Sequence, residues 1–97
     1  MLGTVTKQPA DVRDWDIEFD RWIPDDDTIT TAEAIVTEID ADTDLVVDSV
    51  QIDVANHIVK VWTSGGVTGT TYKITVTAAT AGGRIKETEF NIRVRDT

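Results

Sequence analysis

Residues 61–78, VWTSGGVTGTTYKITVTA, join a glycine-rich bend to a regular alternation of apolar and polar residues. From Tyr72 onward every second residue is apolar, which is the period of a strand with one buried face. A phosphate-binding loop needs a lysine directly after its last glycine and a helix behind it, and this bend has neither. The stretch therefore predicts a turn that leads into a β-strand.

Tyr72 stands at the beginning of that strand, close behind Gly69. In immunoglobulin-like sandwiches, a tyrosine at the start of the second-to-last strand packs between the sheets, and its hydroxyl bonds to the backbone a few residues upstream. Residues 69–78, GTTYKITVTA, resemble this part of fibronectin type III domains. We therefore predict a tyrosine corner at Tyr72, with an ordinary buried tyrosine as the alternative.

The same alternation recurs on both sides of this stretch. In residues 14–22, DWDIEFDRW, the first three apolar residues share one face, and the sequence PDDD after Trp22 and Ile23 predicts a turn. Residues 45–54 and 58–63 predict two strands joined by a turn at residues 55–57. Near the end of the chain, residues 80–84, TAGGR, predict the loop of a closing hairpin, in which Gly82 or Gly83 is free to take a positive φ. Its last strand alternates through Phe90, Ile92 and Val94.

Residues 28–39 allow two interpretations. Residues 30–33, TTAE, could form a capping box that opens a helix. The many β-branched residues favour a strand instead, because they fit a pleated surface. We predict a strand in which Ala32, Ala34 and Val36 point inward.

These elements predict an all-β fold, an immunoglobulin- or fibronectin III-like sandwich of two antiparallel sheets with about seven strands. A chain of 97 residues fits one domain, so we expect a single domain over residues 1–97, with residues 1–12 as a candidate flexible N-terminal segment. Six side chains are predicted to fill the interior between the sheets: Trp15, Phe19, Tyr72, Ile74, Phe90 and Ile92.

The charge is unevenly distributed. Residues 1–58 carry 15 acidic and 3 basic side chains, a net of −12, and residues 59–97 carry 3 acidic and 6 basic ones, a net of +3, which sum to the net −9 of the chain. An acidic surface repels phosphate, so we expect no nucleic-acid partner and no membrane partner. The absence of cysteine excludes disulfides.

The sequence offers little for catalysis. It has one histidine, His57, and two serines, Ser49 and Ser64. Nothing supplies the nucleophile elbow or the oxyanion hole that a serine nucleophile requires. We therefore expect no enzyme activity and no cofactor, and we interpret His57 as a solvated turn residue.

The spacing of Asp40, Asp42 and Asp44 is the one metal-like pattern in the chain. Oxygen ligands at alternate positions suit calcium, and residues 25–27 could add to such a site. The glycine and the bidentate glutamate of an EF-hand loop are missing. Solvated turns are the simpler interpretation, and a calcium site is the alternative.

Two tryptophans are candidate contact residues. Trp62 alternates in phase with Lys60, so Val59 and Val61 are predicted to point inward and Trp62 outward. Trp22 follows the first aromatic strand. Exposed aromatic residues are enriched at interfaces, whereas a half-buried cover for the sheet edge is the simpler interpretation of Trp62.

Three stretches together resemble a family of small immunoglobulin-like proteins from the tails of bacteriophages and prophages, the fibre–tail adaptor proteins. They are residues 14–30, DWDIEFDRWIPDDDTIT, residues 59–84, VKVWTSGGVTGTTYKITVTAATAGGR, and residues 90–96, FNIRVRD. The chain departs from the family at residues 32–36, where a large aromatic residue is expected.

The resemblance implies a non-enzymatic structural or adaptor protein that is made in the bacterial cytoplasm and assembled into the virion tail. Its expected partners are other phage tail proteins or copies of itself, contacted through the first aromatic strand and the acidic loops. The alternative is an immunoglobulin-like surface or carbohydrate-binding module, with Trp22 or Trp62 as a stacking platform and calcium as a stabilising ion.

Overall fold

The computed structural model describes residues 3–38 and 45–95, and these form strands joined by turns. The strands are β1 (Thr4–Lys7), β2 (Arg13–Glu18), β3 (Ile29–Glu38), β4 (Leu45–Asp53), β5 (Ile58–Gly65), β6 (Thr71–Thr80) and β7 (Ile85–Val94). The described residues include no helix long and apolar enough to cross a membrane.

The strands form two sheets. One has the order β1-β7-β6-β3, and the other has the order β2-β5-β4. In an immunoglobulin sandwich, strands C, F and G form one sheet and strands B, E and D lie in the other. Here β3, β6 and β7 occupy the C, F and G positions, while β2, β5 and β4 occupy the B, E and D positions. The predicted two-sheet all-β fold is confirmed.

One pairing departs from the antiparallel prediction. β1 pairs parallel to β7, with Thr4 opposite Asn91 and Lys7 opposite Val94. β1 lies within residues 1–12, where we expected a flexible segment. A strand of four residues is too short to show a period, and its partner lies at the other end of the chain.

The closing hairpin is formed by β6 and β7, as predicted. Tyr72 lies opposite Ile92, and Ile74 lies opposite Phe90. These four side chains are buried, and Trp15 of β2 and Phe19, the residue after β2, are buried with them. All six side chains predicted for the interior therefore lie in the core cluster.

Residues 29–38 form a strand rather than a helix. β3 pairs antiparallel to β6, with Ala32 opposite Ala78 and Val36 opposite Ile74. The apolar residues predicted to point inward, Ala32, Ala34 and Val36, are half-buried and pack against the core. The capping-box alternative is wrong because pairing with β6 satisfies the backbone groups of this segment.

Residues 45–54 and 58–63, predicted as two strands, form the antiparallel hairpin of β4 and β5. Val59 and Val61 are fully buried, as the alternation predicts. Trp15, on the neighbouring β2, donates its indole N–H to the hydroxyl of Thr63 across 2.9 Å. A buried indole needs such a partner, so this bond completes the core on the three-stranded sheet.

Candidate functional site

The glycine-rich bend between β5 and β6 closes one end of the sandwich, which we call the Tyr72 end (residues 8–12 and 66–70). The hydroxyl of Tyr72 accepts a hydrogen bond of 3.0 Å from the amide of Val67. Gly65, Gly66 and Gly69 all have positive φ. Glycine takes that conformation without steric cost, so the bend is a structural turn with a tyrosine corner behind it.

A buried lysine reinforces the Tyr72 end. Lys7 is only 1% exposed, and its Nζ donates to the carbonyls of Gly65 at 2.6 Å and Gln8 at 2.8 Å. Burial lowers the pKa of Lys7, while the nearby carboxylates of Asp11 and Asp48 act in the opposite direction. The ammonium group ties β1 to the end of β5 and is not available to a ligand. No local pattern in the sequence indicates this role.

The opposite end, which we call the Asp27 end (residues 19–28, 54–57 and 81–84), is organised by one carboxylate. Oδ1 of Asp27 accepts hydrogen bonds from the amide of Thr28 at 2.9 Å and the amide of Gly82 at 2.8 Å. Oδ2 accepts from the guanidinium of Arg84 at 2.8 Å. A Cβ on Gly82 would lie 2.8 Å from Oδ2 and 2.8 Å from the guanidinium of Arg84, so the missing side chain gives both groups room to approach this loop. Asp27 therefore links the β2–β3 loop to the β6–β7 loop.

These contacts change the titration of Asp27. Hydrogen bonds from the Thr80 hydroxyl first, and then from Gly82, Arg84 and Thr28, lower the pKa of Asp27 to about 2, although burial alone would raise it. The Thr80 hydroxyl also accepts a 3.0 Å hydrogen bond from the amide of Arg84, which leaves its hydrogen free to point at the carboxylate. Asp27 is thus held ionised as a structural anion.

His57 joins the same end, and its predicted role as a solvated turn residue is wrong. It is 8% exposed, and its Nε2 lies 3.0 Å from the carbonyl oxygen of Asp27. Because a carbonyl can only accept, Nε2 carries the hydrogen. The φ of His57 is 55°, so this residue of the β4–β5 turn adopts the left-handed conformation. The imidazole is buried because the hairpin folds over the β2–β3 loop.

The two candidate contact tryptophans lie in different places. Trp22 follows β2 at the Asp27 end, is half-buried, and makes an edge-on contact with Phe19 at a centroid distance of 5.7 Å. The ammonium group of Lys86 lies 4.7 Å from the centre of its ring. Trp62 lies opposite Asp14, near the start of β2, and donates to Oε1 of Gln51 at 3.3 Å. The two rings therefore do not form one platform.

The outer face of β2 carries the acidic residues of the first aromatic strand. Lys60 of β5 lies 2.8 Å from Asp14 and 3.0 Å from Asp16. The hydrogen bond from Lys60 lowers the pKa of Asp14, and the same bond raises the pKa of Lys60. All three groups remain solvated, so this face presents a mixed polar surface with acidic excess.

The residues considered for catalysis are kept apart. Ser49 lies opposite Trp62 in β4, and Ser64 lies opposite Val46 in β5, whereas His57 lies in the turn at the far end of this hairpin. The described residues bring no triad together. Their titrating side chains also include no group of three that could hold a metal.

The predicted calcium positions Asp40, Asp42 and Asp44 lie outside the described residues. Of the acidic run that could have added to such a site, Asp25 and Asp26 are exposed. Asp27 is bound to Arg84 and to backbone amides. Its carboxylate is therefore already engaged.

Comparison with known proteins relates this domain to a phage family. A family model described as "Podophage GP4 fiber-tail adaptor protein gp77" matches residues 7–93. The match begins at Lys7, the last residue of β1, and ends at Arg93, one residue before the end of β7. It therefore spans both sheets. A comparison with curated proteins finds no match.

Proposed function

Because the chain belongs to the family of the podophage GP4 fiber-tail adaptor protein gp77, and is therefore a structural protein of a phage tail, we propose that it joins a tail fibre to the tail by protein–protein contacts alone. The observation that carries this proposal is the extent of the match, residues 7–93, which includes nearly the whole sandwich. Its partners are other tail proteins, and it is made in the bacterial cytoplasm before assembly.

The shape of the domain supports a role as a rigid connector. Its principal extents are 43 × 21 × 20 Å, so the body is about twice as long as it is wide. Buried polar contacts fix both ends, through Tyr72 and Lys7 at one and Asp27 at the other. An element held rigid at both ends can keep two partners at a fixed separation without ordering itself on binding.

Charge suggests how the Asp27 end meets a partner. Three acidic side chains are exposed there, Asp20, Asp25 and Asp26, and the exposed Asp53 lies next to this end as the last residue of β4. Together with the acidic face of β2, they suit a partner surface rich in lysine and arginine, because complementary charge steers association. Acidic loops also disfavour binding to nucleic acid, which is consistent with a purely protein-contacting role.

The alternative of a carbohydrate-binding module is less well supported. A sugar stacks on an open aromatic face, but Lys86 lies over the ring of Trp22. Trp62 is half-buried and bonded to Gln51. The residues considered for catalysis, Ser49, Ser64 and His57, lie apart, which likewise favours a non-enzymatic role.

Deleting the gene from a phage that encodes this chain tests the proposal. We expect particles with normal heads and tails but without fibres, seen by negative-stain electron microscopy. Supplying the wild-type chain from a plasmid should restore the fibres. Deletion particles that keep their fibres would contradict the proposed function.

A further inference from the structure

The outer edge of β7 is only half covered. β1 pairs with residues 91–94 of β7, and the carbonyl of Gly3 accepts a hydrogen bond from the amide of Asn91. Among the described residues, nothing pairs with the outer side of residues 85–90. At about 3.3 Å per residue, this leaves roughly 20 Å of strand edge open, in line with the start of β1.

The register shows which backbone groups this edge presents. The amides of Asn91 and Arg95 point to β1, whereas the carbonyl of Arg84 and the amide of Val94 bond towards β6. Backbone groups alternate between the two sides of a strand. The N–H and C=O groups of Ile85, Glu87 and Glu89 therefore point to the open side, while those of Lys86, Thr88 and Phe90 pair with β6.

A groove follows this edge, bounded by β1 and by an aromatic side chain. Gly3 and Thr4 line one end, and Trp22 lines the other with residues 86–91 between them. Lys86 lies over one face of the Trp22 ring. The groove thus places open backbone groups beside a large apolar side chain, the two elements that strand addition uses for affinity and for side-chain selection.

Two of the other edges, those of β3 and β4, are less suited to strand addition. β3 has register shifts between Ile29 and Thr31 and between Val36 and Glu38, and β4 has one between Val47 and Ser49. Such irregularities protect an edge against pairing. The edge of β2 is also regular. We favour the edge of β7, because a strand added there would continue the line of β1, which already pairs with β7.

The side chains of the edge select the occupant. Glu87 and Glu89 are exposed on its outer face, and Glu89 lies 3.7 Å from the ammonium group of Lys73 on β6. Antiparallel pairing with a second copy of the same edge would place glutamates opposite glutamates, which is destabilising. Lysine or arginine at those positions would instead form cross-strand pairs of opposite charge.

We propose that residues 85–90 of β7 accept, as an added strand, an extended segment of a neighbouring tail protein in which basic residues alternate with apolar ones. The proposal rests on the adaptor function proposed above and names its docking edge. In the complex, the added strand bonds the backbone groups of Ile85, Glu87 and Glu89, and an apolar side chain of the partner packs beside Trp22.

Residue-resolved hydrogen exchange on the isolated chain and on purified tails tests the pairing. In the isolated chain, the amides of Ile85, Glu87 and Glu89 should exchange fast and those of Lys86, Thr88 and Phe90 slowly. In tails, the first three should slow at least tenfold. If these three amides exchange equally fast in tails and in the isolated chain, the proposal is wrong. It is also wrong if they already exchange slowly in the isolated chain at high concentration, because that would indicate pairing between copies.

A proline variant tests whether assembly depends on the edge. Glu87→Pro removes a donor on the open side and leaves the bonds to β6 intact, since proline is tolerated on the outer side of edge strands. Added to particles from the deletion phage, it should recruit fibres at least tenfold less well than wild type. The matched variant Glu87→Gln keeps the donor and loses one charge, so its loss should stay within about fivefold.

The outcomes separate this proposal from the adaptor function. Thermal unfolding should give similar midpoints for both variants, which shows that Glu87→Pro folds. If the wild-type chain and Glu87→Pro recruit fibres equally, the docking edge is wrong and the adaptor function stands. If the wild-type chain itself recruits none, the adaptor function fails, and the docking edge fails with it.

Discussion

The hydroxyl of Tyr72 accepts a 3.0 Å hydrogen bond from the amide of Val67, five residues upstream, and thereby holds the glycine-rich bend against the start of β6. The ring itself is fully buried between the sheets. One side chain thus joins the core to the loop that closes the Tyr72 end. The corner is therefore part of the packing of the sandwich.

Replacing Tyr72 by phenylalanine tests this contact. Tyr72→Phe keeps the ring but leaves the Val67 amide without its acceptor, so we expect a loss of about 1–2 kcal/mol in the free energy of unfolding. Denaturant titration measures it. Thr71→Val, which removes an exposed hydroxyl next to it, should change stability by less than about 0.5 kcal/mol. Equal effects of the two changes would argue against the corner.

The two glycines of the bend allow a comparison of strain and space. Both Gly66 and Gly69 have positive φ, but a Cβ on Gly66 would lie 2.8 Å from a methyl group of Val94, whereas a Cβ on Gly69 would meet nothing within 4 Å. Gly66→Ala should therefore destabilise the domain by about 1–3 kcal/mol more than Gly69→Ala, because overpacking adds to the backbone strain. Thermal unfolding of both variants checks the difference, and similar losses would mean that Val94 does not crowd the bend.

Asp27 should make the stability of the domain depend on pH in acid. Its pKa is lowered from 3.8 to about 2, so the folded state binds fewer protons than the unfolded state in this range. The stabilisation is fully present above the unfolded value and is lost as pH falls towards 2. We expect Asp27→Asn to be less stable than wild type at pH 6, with a difference that shrinks between about pH 4 and 2.

Urea unfolding of wild type and Asp27→Asn at pH 2 to 6 measures this convergence. Asp26→Asn is the matched control, since Asp26 is the exposed neighbour in the same acidic run. The Asp26→Asn variant should not show a loss of stability that shrinks as the pH falls from 6 to 2. A stability difference between wild type and Asp27→Asn that stays constant over this pH range would show that the carboxylate is not held ionised by its hydrogen bonds.

His57 contributes through both its ring and its backbone. With a φ of 55°, it lies where a Cβ is unfavourable, and its Nε2 bonds to the carbonyl of Asp27. His57→Gly and His57→Ala both lose the imidazole, but only alanine retains the Cβ. We expect His57→Ala to be less stable than His57→Gly by about 1 kcal/mol, as judged by denaturant titration. The reverse order would contradict the left-handed turn.

The sequence was sufficient for features that depend on neighbouring residues. Alternation is a local property, so it predicted the faces of β2, β6 and β7, the closing hairpin and the inward side of β3. The tyrosine corner was predictable because the glycines and Tyr72 lie within one short stretch. These features decide the fold.

The features that the sequence did not reveal depend on distant residues. Asp27 bonds to residues 55 and 57 positions away, and Lys7 bonds to a carbonyl 58 positions away. In the sequence, both resemble solvated charges, because such residues are rarely buried unless paired. The same holds for His57, which is buried only through the meeting of two loops. No local pattern predicts the parallel pairing of β1 with β7.

Electron cryo-microscopy of the purified phage tail would show directly whether this chain joins the tail to a fibre. We expect density for this two-sheet sandwich that contacts the tail body on one side and a fibre on the other. Finding the chain absent from the tail, or present without contact to a fibre, would contradict its role as an adaptor.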